Sequence, residues 1–269
     1  MTDTFLLAVY LLALGVGVGV MGGSLGLGGG VLMVPAFMAF GLLDTHTAKG
    51  TSLFIIIFVS ALNAWQLNRG LAHKPWRLAA YMAAGSIVGG YASAWVTTLV
   101  SEAVILWIFI VLMAFLAART FMIKPRAVHE EEVRQRRPIS VLIGFLAGVA
   151  GGATGTGGGA LLIPMALIAG IISNERAVGL SNLVMVCTSI AGSIAHLMAE
   201  PIVHTPWVVG HVNLALAPLV FFGAQLGSPY GLRLNAKMTL KHRREAMGVL
   251  LVLISLQLLY KVLTLASGE

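Results

Sequence analysis

Apolar runs separated by short polar or glycine-rich stretches make up nearly the whole chain. They cover residues 5–21, 31–43, 53–67, 78–100 and 103–123, and, after a charged stretch at 124–137, residues 139–150, 160–172, 180–198, 208–226 and 247–265. The pattern is one set of five segments given twice. Gly28-Gly29-Gly30, Pro35, Ala48, Gly50 and Ser52 recur as Gly157-Gly158-Gly159, Pro164, Ala177, Gly179 and Ser181, all at a single offset of 129 residues. Pro75-Trp76 returns as Pro206-Trp207, so the halves stay in step with small insertions. The expected organisation is a first repeat over 1–123, a charged linker over 124–137 and a second repeat over 138–269, forming one integrated membrane domain.

Segment length sets how each run is used. The 31–43 and 160–172 runs have 13 residues each and the 139–150 run has 12. As helices they reach only about 20 Å, short of the roughly 30 Å hydrocarbon core. The first two segments of each half are therefore expected to form a re-entrant or broken helix pair joined by a glycine-rich turn, followed by three membrane-crossing helices. The fold class is an all-α integral membrane protein.

Composition agrees. Of the 269 residues 58% are hydrophobic and 10% charged, against about 25% charged in soluble domains. The net charge of +7 belongs to topology rather than to a nucleic-acid partner, because apolar runs separate the basic residues. Three loops hold 14 of the 17 Lys and Arg residues: Arg69, Lys74 and Arg77; Arg119, Lys124, Arg126, Arg134, Arg136 and Arg137; and Arg233, Lys237, Lys241, Arg243 and Arg244. The positive-inside rule makes these cytoplasmic and puts the loops near Glu102 and Glu200, with both termini, outside. Each half then crosses an odd number of times, so the second is inverted relative to the first. Inverted repeats are a signature of secondary transporters with a site near the midplane. Residues 5–20 have the length of a signal-peptide core, but Asp3 replaces a basic start and glycines follow where a cleavage site is expected, so the segment is read as part of the mature protein. Cys187 reads as a packing residue.

The turns run from Gly22 through Ser24 to Gly28, Gly29 and Gly30, and from Gly151 through Thr154 and Thr156 to Gly157, Gly158 and Gly159. Glycine permits irregular backbone with uncovered N–H groups, and each turn opens into a helix whose first N–H groups lack partners. That is an anion site at a helix N-terminus, with Ser24, Thr154 and Thr156 adding hydroxyls. Glycines at spacing four, such as Gly15/Gly19 and Gly22/Gly26, equally serve close helix packing, the better reading within the first segment. Lys49, Thr51 and Ser52, and Ser181 and Asn182, open the third segment of each half, either donating to an oxyanion or capping the helix. Lys49 and Arg176 either draw an anion toward an entrance or anchor the interface. Asn63, Gln66, His196, His211 and Gln225 are polar groups in apolar surroundings, suited to a pathway, to proton coupling or to interhelical hydrogen bonds. No acidic residue lies within an apolar core, which disfavours a cation transporter. No zincin pair, nucleophile elbow or P-loop appears, so neither an enzyme nor a cofactor is expected.

Gly26-Leu27-Gly28-Gly29-Gly30 with Val34-Pro35, Ala48-Lys49-Gly50-Thr51-Ser52-Leu53, and Gly155-Thr156-Gly157-Gly158-Gly159 with Ile163-Pro164 resemble the TauE/SafE sulfite exporter family over nearly the whole chain. The resemblance implies export of small sulfur-containing anions such as sulfite, sulfoacetate or related sulfonates. It points to Gly28–Gly30, Thr51, Ser52, Gly157–Gly159, Ser181 and Asn182 as site positions, with Leu180 standing where the first half has Thr51. The expected partners are the anion and the lipid bilayer, and the pattern is compatible with proton coupling and with a homo-oligomer. The alternative is a membrane enzyme or assembly factor that docks partners through the basic cytoplasmic loops.

Overall fold

The computed structural model describes residues 2–39, 41–70, 76–122, 133, 136–202 and 206–267. The expectations for Lys74, Pro75 and most of the 124–137 linker lie outside the described residues. Ten helices are described: α1 (Thr2–Leu25), α2 (Gly30–Ala39), α3 (Thr45–Asn68), α4 (Trp76–Thr98), α5 (Glu102–Met122), α6 (Arg137–Thr154), α7 (Gly159–Ile168), α8 (Ala177–Leu197), α9 (Ala217–Lys237) and α10 (Leu240–Ser267). Among the described residues α1, α3, α6 and α8 are long and apolar enough to cross a membrane, whereas α2 and α7 are shorter apolar helices. Large apolar side chains face outward, including Val88, Val111, Leu226 and Leu253, as lipid contact requires. The chain is a multi-pass, all-α membrane protein.

Several boundaries differ from the sequence reading. The expected turns at 22–30 and 151–159 contract to Gly26–Gly29 and Gly155–Gly158, because the glycines before them continue α1 and α6. Inside a bilayer a backbone group has no water to bond, so the helix is kept in spite of glycine's poor propensity. The α1 helix thereby reaches 24 residues, about 36 Å. The run at 208–226 is not one helix either. It opens as a two-residue antiparallel hairpin, β1 (Val208–Val209) and β2 (Val212–Asn213), pairing Val208 with Asn213 and Val209 with Val212. Gly210, at φ 56°, supplies the positive φ that this tight turn needs. The α9 helix starts only after it, with a proline in its first turn.

The halves pack by exchanging equivalent elements. Gly15, Gly19 and Gly23 of α1 lie against α9, and Gly223, Gly227 and Gly231 of α9 lie against α1, residue numbers rising together, so the two helices are parallel. The same holds for Gly85 and Gly89 of α4 against Gly144, Gly148 and Gly152 of α6. Between apolar helices in lipid, small residues gain close van der Waals contact that burial from water would not supply. The packing stripe is thus Gly15/Gly19/Gly23, while Gly22 faces Asn63 and Gly26 lies in the turn. The α3 and α8 helices form the centre and run antiparallel, as Gly50 lies beside His196 and Gly179 beside Asn68. The α5 and α10 helices pair with each other outside this core.

Candidate functional site

Each short helix doubles back along the long helix before it. A β-carbon on Gly29 would strike Val18, and one on Gly158 would strike the Ala147 carbonyl; both contacts obey the 129-residue offset. The reversals are built from three glycines each, with φ of 69°, 72° and 75° at Gly26, Gly28 and Gly29 and 75°, 77° and 86° at Gly155, Gly157 and Gly158. Only glycine adopts such a series without steric strain.

The two turns meet in the middle of the molecule. A β-carbon on Gly30 would lie 2.7 Å from the Gly155 carbonyl oxygen, and one on Gly159 would strike the Gly26 carbonyl oxygen. Two serines fix the crossing: Ser52 Oγ donates to the Gly155 carbonyl at 2.8 Å and Ser181 Oγ to the Gly26 carbonyl at 2.9 Å. These are again equivalent bonds, each tying the third segment of one half to the turn of the other. At the helix starts, the N–H groups of Leu32 and Met33 bond to Gly29, and those of Leu161 and Leu162 to Gly158. The first N–H groups of α2 and α7, at Gly30, Val31, Gly159 and Ala160, have no backbone acceptor among the described residues. They are the orphan donors expected at helix N-termini.

One element breaks the symmetry. Lys49 is 0% exposed and donates from Nζ to the Ala153 carbonyl at 3.3 Å. Its Cα and Cβ lie where a side chain on Gly155 would go. The equivalent contact at Gly26 is made by Val178. Lys49 therefore places its amino group at the crossing, next to the C-terminal carbonyls of α6, whose dipole favours positive charge. Among the described residues no carboxylate pairs with it.

The sequence profile of the family described as "Sulfite exporter TauE/SafE" matches residues 11–258. The chain belongs to the sulfite exporter TauE/SafE family. It is 28% identical to the "Probable membrane transporter protein YunE" of Bacillus subtilis, over 94% of this chain and 97% of that one. A "Probable membrane transporter protein" of Methanocaldococcus jannaschii is also 28% identical, over 96% of this chain and 97% of its own. One from Xylella fastidiosa is 25% identical, over 89% and 90%. No solved structure matches.

The remaining predicted positions of this TauE/SafE protein divide by how their polar atoms are used. The hydroxyls of Ser24 and Thr154 donate back to Val20 and Ala150 within their own helices, each at 2.6 Å. With its own proton on Ala150, Thr154 accepts from Thr156 at 2.9 Å. Helix capping does not involve Thr51, Ser52 or Ser181, which lie beyond the first turn of their helices: Asp44 caps α3 by accepting from His46 and Thr47, and no side chain caps α8. Nor does Lys49 precede its helix, since α3 begins at Thr45 and buries it. Arg176 does stand at the α8 N-cap. Thr51 Oγ1 accepts the Asn213 N–H at 2.9 Å. Asn63 Oδ1 accepts from Ser228 and Asn182 Nδ2 donates to Val178, leaving Asn63 Nδ2 and Asn182 Oδ1 buried without a partner.

His196, at the C-terminal end of α8, lies beside Gly50, next in the chain to Lys49. Its Nδ1 is 3.3 Å from Nδ1 of His211, and the His211 N–H donates to the His196 carbonyl at 2.8 Å. The His46 and His211 rings are 5.2 Å apart between centroids. With the Thr51–Asn213 bond, these contacts strap the hairpin across the α3 start and the α8 end. The described residues contain no group of ligands able to hold a metal. Among the buried hydroxyls without a hydrogen-bond partner that the sequence did not single out, Ser60 and Ser189 form an equivalent pair, both fully buried. Their separation is again 129 residues, the signal by which they were available.

Proposed function

We propose that this protein is a secondary active transporter that exports small sulfur-containing anions such as sulfite, sulfoacetate or related sulfonates. The anion binds near the midplane, between the crossed glycine turns, and two inverted halves exchange access to it from either side. Lys49 is the observation that carries this reading. A fully buried ammonium with one hydrogen bond and, among the described residues, no carboxylate partner retains two donors and most of its desolvation cost. A bound monoanion about 4 Å away would offset that cost by about 4 kcal/mol at an effective dielectric constant near 20. The neighbouring N–H groups of the α2 and α7 first turns add partial charge without a second full cation, so the anion is held but can leave.

Three features support the rest. The antiparallel α3 and α8 fit halves of opposite orientation, and the basic residues then place both termini outside the cytoplasm. The curated relatives carry transporter names rather than enzyme names. An oxyanion has the several acceptor oxygens that an ammonium, hydroxyls and backbone donors together need. The test is flux into proteoliposomes holding the purified protein, with labelled sulfite, sulfoacetate and a simple sulfonate. Uptake or release well above empty vesicles for at least one of them is expected; no flux above empty vesicles for any would overturn the reading.

A further inference from the structure

Lys49, Ser52, Ile56, Ser60 and Asn63 follow one another along α3 at steps of three and four residues, which places them on one helix face. On α8 the equivalent face carries Val178, Ser181, Met185, Ser189 and Gly192. Contacts along the middle of both faces show that they look onto the turns and the helix ends beside them. Ser52 bonds to Gly155, Ile56 approaches Gly30 and Gly157, and Asn63 approaches Gly22; Ser181 bonds to Gly26, and Met185 approaches Gly28 and Gly159. Ser60 and Ser189 occupy the same step in these two series. Ser189 Oγ lies 3.2 Å from the place a β-carbon on Gly157 would occupy, so it points at the turn that opens α7.

A serine in a helix ordinarily returns its proton to the carbonyl one turn back, as Ser24, Thr154, Thr188 and Ser255 do here. Ser60 and Ser189 do not, although both are 0% exposed. A buried hydroxyl without a partner is unfavourable, and such a group needs an explanation beyond packing. Here two arise at equivalent positions of two divergent halves, each on the face that looks onto the free N–H groups of a helix start.

We propose that Ser60 and Ser189 are substrate ligands, one from each half, that donate their unused protons to the oxygens of a small sulfur oxyanion at the crossed turns. This rests on the transport reading above and extends it to residues outside the family motifs. Ser52 and Ser181 then have a different duty, because their protons already hold the Gly155 and Gly26 carbonyls.

Thermal unfolding and equilibrium binding of the purified full-length protein in detergent, with sulfite and sulfoacetate added, separate the two duties. Ser60→Ala and Ser189→Ala break no bond in the free protein, so its melting temperature is expected to be unchanged or raised. Each is expected to weaken binding roughly tenfold, and the double variant to lose the anion-induced rise in melting temperature. Unchanged affinity in both single variants, or a fall in the free protein's melting temperature with the anion-induced rise intact, overturns the serine assignment and leaves the transport reading standing. A wild-type protein stabilised by phosphate or a carboxylate but by no sulfur anion, with the same serine dependence, overturns the substrate class alone. Stabilisation by none of these anions overturns both.

Discussion

The Ser52 hydroxyl donates to the Gly155 carbonyl at 2.8 Å, across 103 residues of sequence, and Ser181 repeats that bond to Gly26 across 155. Each serine satisfies a carbonyl that the positive-φ backbone leaves outside any helix. Ser52→Ala or Ser181→Ala leaves that buried acceptor orphaned, at about 1–3 kcal/mol. The expected result is a lower melting temperature for each variant in detergent, and a larger drop for the pair. Wild-type melting in both would show that the crossing does not depend on these bonds.

The turns should tolerate no side chain where they cross. At Gly155 a β-carbon would lie 2.8 Å from the Lys49 Cα, and at Gly158 it would strike the Ala147 carbonyl, with φ of 75° and 86°. Gly41 and Gly170 share the positive φ but have open space around them. Gly41→Ala and Gly170→Ala should cost only backbone strain, about 1–2 kcal/mol. Gly155→Ala and Gly158→Ala should abolish monodisperse protein on size-exclusion chromatography. Equal behaviour of all four variants would contradict this packing.

The hairpin strap should loosen in acid. His211 lies outside the membrane-spanning helices, and burial holds its pKa below the ordinary 6.5, with Lys49 adding to the depression while Asp44 and a backbone bond at Glu200 oppose it. A depressed pKa means that the strapped form favours the neutral ring. Its contribution is complete above about pH 6.5 and declines as pH falls through the lowered value, because the released form binds the proton more readily. Protection of the 208–213 amides, taken relative to the intrinsic exchange rate at each pH, should therefore fall between pH 7 and pH 5, and His211→Gln should flatten that dependence. Protection independent of pH would contradict it.

How far the sequence disclosed this arrangement depends on the range of each interaction. The repeat, the helical class and the glycine reversals at Gly28–Gly29 and Gly157–Gly158 are local patterns, and they are legible in a single chain. Turn limits were less so: Gly22, Gly23, Gly151 and Gly152 look like loop residues until the bilayer's demand for internal hydrogen bonding is imposed on them. Segment 208–226 failed differently, since a valine-rich run suits a hairpin as well as a helix, and Gly210 and Pro218 decide between them. Lys49 stands at a segment edge and reads as an entrance residue. Only the approach of the α6–α7 turn, more than a hundred residues onward, buries it. The partners of Ser52 and Ser181 were hidden for the same reason.

In the proposed mechanism, anion binding depends most directly on Lys49. Lys49→Met keeps most of the length of the side chain, removes the amino group and ends the need for a counter-anion. The decisive measurement is sulfite and sulfoacetate affinity of this variant beside the wild type, with melting temperatures of both free proteins. An anion site at the crossed turns predicts affinity lowered at least about tenfold in a protein as stable as the wild type or more so. Unchanged affinity in a folded Lys49→Met protein would contradict it.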